Sequence, residues 1–226
     1  MKPRAICNKM NEFLIDGFGA GAFLAFQTHL LQGPELKQDF GPAVLHNMIS
    51  PGGVGIAEFI SILDDGAYSA VFHDGAVVIL QCRFAGDALS AHRYSYIPCP
   101  VDQNIINGRP DEVELADWLR DLMADPSSDA FRSRGTYRFD FVLNATVNQD
   151  DPHPISHLTF GSPACRMPVR APLSPGNFFD ILFQNFYRPY LPLWEPISPH
   201  LRCNGIDDTI TAAELITHHL SWRDAA

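Results

Sequence analysis

A succession of β-rich runs between Ala67 and Val101 constrains the fold of this chain most strongly. Two runs in "AYSAVFHDGAVVILQCRF" flank the turn His73-Asp74-Gly75, and Asp-Gly between apolar segments is a strong hairpin signal. A third run, "ALSAHRYSYIP", follows a short Gly-Asp turn. Three consecutive runs joined by short turns predict an antiparallel meander.

Further strands are predicted downstream of this meander. "TYRFDFVL" alternates strictly, so that its apolar positions (Tyr137, Phe139, Phe141, Leu143) face one side and Arg138, Asp140 and Val142 face the other. "ISHLTFG" and "CRMPV" are two more short candidates. We therefore expect an α+β protein, in which an antiparallel β-sheet (the meander plus further strands) is packed by N- and C-terminal helices.

Helical segments are expected before, within and after the β-rich region of the sequence. Helices are predicted for 8–32, Val54–Leu63, Asp111–Met123 (with Asp111 and Glu114 as a capping box), Ser174 to about Tyr187, and near Thr209–Trp222. The proline-rich segment 188–200 is predicted to be extended. The simplest organisation is one domain, 1–226, with an N-terminal helical part (1–65), a mostly β part with one helix (66–170) and a C-terminal helical part (171–226).

Charge and cysteine content limit the classes of function. The net charge is −10, so nucleic acid or an anionic membrane is repelled at long range unless a local cationic face exists. Five cysteines without a C-x-x-C pair argue against a disulfide framework or a cysteine-rich zinc site, which favours a reducing cytoplasm. The apolar run near the N-terminus is interrupted by Asp16 and is too short to span a bilayer, so we expect a soluble protein without membrane partners.

The segment "DPHPISHLTFG" (151–161) is the strongest candidate for chemistry. Pro154 excludes a helix carrying both histidines on one face. If this strand pairs with "TYRFDFVL", then Arg138, Asp140 and His157 share one face of the sheet, and His153 can join them from the loop. Such a group can bind an anion or orient a general base. The alternative is an ordinary surface ion pair on a solvent-facing strand.

Arginine dominates the cationic part of the chain. Residues 131–170 hold five arginines, Arg166 and Arg170 among them, against three aspartates, whereas 111–130 are strongly acidic. Arginine suits phosphate or carboxylate better than lysine does, although the same residues can close internal ion pairs. "GFGAGA" (17–22) matches a dinucleotide-loop pattern, but without alternating β and α segments we favour a small-residue face for close helix packing.

Three segments resemble an uncharacterised bacterial family, a domain of unknown function: "YSYIPCPVD" (94–102), "YRFDF" (137–141) and "HPISHLTFG…CRMPVRAPLSPGNFFDILFQNFY" (153–187). The resemblance, carried mainly by an HPxSHLxFG…CRxPVxxPLSP signature, implies a bacterial cytosolic protein. Orphan families of this kind often lie in phage-defence or mobile-element loci. The resemblance supplies no catalytic residue and no cofactor.

Three hypotheses follow. The first is an accessory or recognition protein that binds a phosphate-bearing ligand, a nucleotide, nucleic acid or an acidic partner through Arg138, Arg166 and Arg170. The second is a phosphodiesterase or nuclease with His157 as general base, Asp140 as its orienting carboxylate and His153 as a further catalytic residue. In this hypothesis Arg138 and Arg166 stabilise the developing negative charge, and Asp151 and His153 can instead bind a divalent metal. The third is a structural subunit of a homo- or hetero-oligomer.

Overall fold

The computed structural model of the chain describes residues 2–37, 54–125, 131, 135–143, 154–161, 165–203 and 207–221. The strands are β1 (Phe23–Phe26), β2 (Leu30–Gln32), β3 (Glu35–Lys37), β4 (Ala70–Phe72), β5 (Val77–Ala85), β6 (Ala88–Ile97), β7 (Tyr137–Val142), β8 (Ser156–Phe160) and β9 (Arg166–Pro168). The helices are α1 (Pro3–Gly19), α2 (Ile56–Asp64), α3 (Gln103–Ile106), α4 (Leu115–Ala124), α5 (Pro175–Asn185), α6 (Leu191–Trp194) and α7 (Ala212–Leu215). Two 3-10 turns span Arg188–Tyr190 and Ser198–Leu201.

All of these strands form one antiparallel sheet. Its order is β1-β4-β5-β6-β7-β8-β9, and the β2–β3 hairpin joins through β3 to the C-terminal half of β5. The predicted hairpin turn is present between β4 and β5, where Gly75 has a φ of 77° that an L side chain rarely adopts. The expectation of an α+β protein with an antiparallel meander is confirmed.

One face of the sheet carries the main core. Helices α1 and α5 lie on it, and α6 and the second 3-10 turn pack beside them. The centre is aromatic: the Phe13 ring lies 5.2 Å from Phe179 and 4.8 Å from Trp194 in edge-on contacts. Helix α5 begins where the sequence predicted, because the Ser174 side chain accepts a hydrogen bond from Asn177 N at 3.1 Å.

The other face of the sheet is divided. Over β4 and the first half of β5 it is apolar, and α2 and α4 cover it through a second core that includes Phe59, Val77, Ile79 and Leu119. Toward the end of β5 and across β6–β8 most positions on this same face are polar, with Ala91 and Val142 as apolar exceptions. The candidate site lies on this polar half of the face.

The N-terminal part differs from the prediction. The helix expected over 8–32 spans Pro3–Gly19, and three short strands follow, so residues 1–65 are not wholly helical. The chain reverses after Gly19 because β1 gains pairing with β4, which a helix cannot provide. Gly17 packs against the Phe23 ring so closely that an added Cβ would lie 2.2 Å from Phe23 Cε2. The small-residue interpretation of "GFGAGA" thus agrees with the contact made by Gly17.

Three other predicted segments are also revised. Helix α4 begins only at Leu115, and Glu114 lies at its N-cap without a side-chain hydrogen bond, so the capping box predicted from Asp111 is wrong. Segment 188–200 is wound into short helical turns, because Pro189, Pro192 and Pro199 occupy first-turn positions that need no N–H donor. The last helix is limited to Ala212–Leu215, where Thr211 and Glu214 form a capping box. No described helix is long and apolar enough to cross a membrane.

Candidate functional site

Strand register brings the predicted residues together. Strand β7 pairs with β8 so that Asp140 lies opposite His157, and β6 pairs with β7 so that Arg93 lies opposite Asp140. Gln81 on β5 is in turn opposite Arg93. Because side chains at paired positions point to the same face of a sheet, these residues form one row across four strands. Arg138 stands two positions from Asp140, on the same face.

Asp140 is the centre of this row. Its Oδ1 accepts a hydrogen bond from Arg93 Nε at 2.7 Å, and its Oδ2 accepts one from Arg138 Nε at 2.5 Å. The Asp140 side chain is 8% exposed, that of Arg138 18% and that of Arg93 37%. One buried carboxylate therefore holds two guanidinium groups that are progressively closer to solvent.

The electrostatics of Asp140 follow from these partners. Burial alone raises the pKa of this carboxyl group, but hydrogen bonding from His157 and the charges of Arg93 and Arg138 outweigh burial and hold its pKa well below the ordinary value. Asp140 is thus ionised at neutral pH. Its negative charge fixes the orientation of both arginines.

His157 is buried beside Asp140. Its side chain is 3% exposed, Nδ1 lies 3.1 Å from the Pro154 carbonyl oxygen, and Nε2 lies 3.5 Å from Asp140 Oδ2. Both ring nitrogens thus face protein oxygen atoms. The pairing of Asp140 with His157 that the sequence predicted is present.

The row opens into a groove of about 530 Å³. At its far end Arg83 pairs with Glu35 on β3, donating from Nη2 at 2.6 Å and from Nε at 3.2 Å to the same oxygen. The groove is lined by Glu35, Leu36, Gln81, Cys82, Arg83, Ala91, His92, Arg93, Arg138, Asp140, Phe141, Val142, Pro154, Ile155 and His157. Its volume falls within the range of small-molecule sites, about 300–1,000 Å³.

The other predicted residues have different positions. Arg166 on β9 is opposite Thr159 on β8, so it belongs to the neighbouring row on the same face, beyond the groove lining. Arg170 lies outside the groove and pairs with Asp208 at 2.7 Å, both side chains being 52% exposed. His153 and Asp151 lie outside the described residues. Within the described ranges, no group of three or more His, Cys, Asp or Glu side chains could hold a metal ion.

Sequence reasoning missed Arg93. The signal was present in "AHRYSYIP", where Arg93 alternates with the apolar positions Tyr94 and Tyr96 and therefore faces away from the main core. The strand order that places it beside Asp140 was not predictable from that pattern alone. The available signal was that Arg93 and Asp140 carry opposite charges and each alternates with apolar residues on its own strand, since such residues stabilise a sheet when their strands are neighbours.

Residues 55–222 match a family described as an uncharacterised conserved protein, DUF2290. The chain belongs to the DUF2290 family. No match to the chain is found among curated proteins or solved structures. Within this DUF2290 protein, the matched range contains Arg93, Arg138, Asp140 and His157, whereas Glu35 at the far end of the groove precedes it.

Proposed function

We propose that this DUF2290 protein is a recognition protein that binds an anionic, phosphate-bearing ligand in the groove. The observation that carries the proposal is the pair of arginines, Arg93 and Arg138, held on the single buried carboxylate of Asp140 at the groove wall. Guanidinium groups that are already oriented lose less rotamer entropy when they bind a phosphate.

The donor arrangement favours an anion. A guanidinium carries five N–H donors in a planar fork, and Arg93 and Arg138 each use Nε on Asp140. Arg83 uses both Nη2 and Nε on Glu35, so its charge is already neutralised. Among the described lining residues, three arginines stand against two carboxylates, which leaves one net positive charge. That charge lies at the Arg93–Arg138 end.

Binding is favoured over hydrolysis by the position of His157. A general base must come within hydrogen-bond reach of the proton that it removes. The two ring nitrogens of His157 instead face Pro154 O and Asp140 Oδ2, and its side chain is almost fully buried. We therefore assign His157 and Asp140 a positioning role, in which they hold Arg138 and Arg93, rather than a catalytic one.

Calorimetric titration of the full chain with inorganic phosphate and with glycerol 3-phosphate tests this proposal, with glycerol as the neutral comparison. Both anions should bind and glycerol should not. Arg93→Gln removes a charge-assisted contact worth about 1.5–3 kcal/mol, so it should weaken phosphate binding by roughly 10- to 150-fold.

Arg170→Gln is the matched control, because it removes the same charge from an exposed ion pair outside the groove. It should leave phosphate affinity within about twofold of wild type. Equal weakening by the two variants would show that net charge alone attracts the anion, and the absence of binding by either anion would refute the proposal. Turnover of a phosphodiester that is lost in His157→Gln would favour the hydrolase instead.

A further inference from the structure

The groove is larger than its cationic end requires. Arg93 and Arg138 contribute only one end of a space of about 530 Å³. Between them and the Arg83–Glu35 pair lie Ala91 and Val142, which face each other across β6 and β7. The Val142 side chain is half-exposed although it is apolar. The groove thus continues from its cationic end onto a floor of two small apolar side chains.

The register explains this division. Arg93 and Asp140 are paired. The next pair on the same face is Ala91, two residues before Arg93, and Val142, two residues after Asp140. Arg83 on β5 is opposite Ala91 and closes that row, but its Nε and Nη2 both donate to Glu35. The second row therefore offers two small apolar side chains and ends in a neutralised ion pair.

We propose that the ligand is a nucleoside monophosphate, whose phosphate contacts Arg93 and Arg138 and whose planar base lies on Ala91 and Val142. This inference rests on the proposed function, since it assigns the rest of the ligand once a phosphate occupies the cationic end. A planar ring suits a floor without bulky side chains, and apolar contact with such a floor adds affinity that inorganic phosphate cannot gain.

The charges favour a single nucleotide over nucleic acid. Binding a nucleic acid strand relies on a track of cations along successive phosphates. Among the described lining residues the uncompensated positive charge is confined to one end of the groove, and the chain as a whole carries a net charge of −10. A ligand with one phosphate group at one end matches this distribution.

Calorimetric titration of the full chain with AMP, adenosine, inorganic phosphate and a twelve-nucleotide single-stranded DNA tests this assignment. AMP should bind at least about tenfold more tightly than inorganic phosphate, adenosine should bind weakly or not at all, and the DNA should bind more weakly than AMP. In Ala91→Leu the added side chain occupies the apolar floor, so AMP affinity should fall to that of inorganic phosphate while phosphate affinity stays unchanged. Ala88→Leu, an exposed position on the same strand outside the groove, is the control and should leave both affinities unchanged.

Each other outcome overturns a defined claim. Equal affinity for AMP and inorganic phosphate, or a normal AMP affinity in Ala91→Leu, would overturn the nucleotide assignment but leave phosphate binding standing. Tighter binding of the DNA than of AMP would overturn the assignment in favour of nucleic acid. If neither AMP nor inorganic phosphate binds, the proposed function fails together with this inference.

Discussion

Replacing Asp140 by Asn removes the charge that holds the site together while keeping the size of the side chain. In the native protein this carboxylate accepts hydrogen bonds from Arg93 and Arg138 and is 8% exposed. The amide of the variant turns an NH₂ group toward at least one guanidinium, so a favourable contact becomes a clash between donors. Two cations then share a partly buried space without a counter-ion.

The cost can be estimated from exposure. Removing one partner of a buried ion pair costs about 3–5 kcal/mol. The Arg93 side chain is 37% exposed and can regain water, so we expect a loss of about 2–3 kcal/mol in the free energy of unfolding. Urea denaturation at pH 7 measures this loss. Asp208→Asn, which breaks the exposed pair with Arg170, should cost less than about 1 kcal/mol.

Acid should reduce this difference. The pKa of Asp140 is lowered in the folded protein, so its contribution to stability is present above the unfolded pKa of about 3.9 and is lost as pH falls below that value toward the folded pKa. Wild type should therefore lose its advantage over Asp140→Asn as the pH falls from 5 toward 2. An Asp140→Asn protein as stable at pH 7 as Asp208→Asn would refute the reasoning, since the carboxylate would then hold nothing in place.

Two further predictions concern the core. Burial lowers the pKa of His29 to about 4 and that of His92 to about 3, so each histidine stays neutral in the folded protein near pH 5, whereas it becomes protonated in the unfolded chain below about pH 6.5. The free energy of unfolding should therefore decrease by about 1–2 kcal/mol per histidine between pH 7 and pH 5. A free energy of unfolding that does not change over this range in urea titrations would contradict the prediction. Gly17→Ala should lower the free energy of unfolding by about 1–3 kcal/mol, because the added Cβ would meet the Phe23 ring. Gly19→Ala is the control and should change it by under about 0.5 kcal/mol, because nothing lies within 4 Å of the added Cβ. Equal effects of the two variants on the thermal midpoint would argue against the close contact at Gly17.

The site could be predicted as far as local alternation reaches. The period of two in 137–143 fixes which side chains face the core, and the same period in "ISHLTF" places His157 on the side away from the core. Arg138, Asp140 and His157 were therefore expected on one face of the sheet. Local pattern does not specify which other strand lies beside β7. Arg93 was missed for that reason.

The N-terminal strands were missed for a different physical reason. "FLAFQTHLL" is apolar at positions that also suit one face of a helix, and its conformation is decided by pairing with β4, far away in the sequence. Tertiary pairing overrides local propensity in such segments. Glu35, which closes one end of the groove, lies on β3 in the same N-terminal region, so its position was not foreseen.

The position of a bound phosphate is the measurement that tests the account most directly. A crystal structure of the full chain grown with AMP should show the phosphate about 2.7–3.2 Å from terminal guanidinium nitrogens of both Arg93 and Arg138, with Asp140 still bonded to each Nε. A phosphate bound away from this pair, or an empty groove at a saturating AMP concentration, would contradict the account.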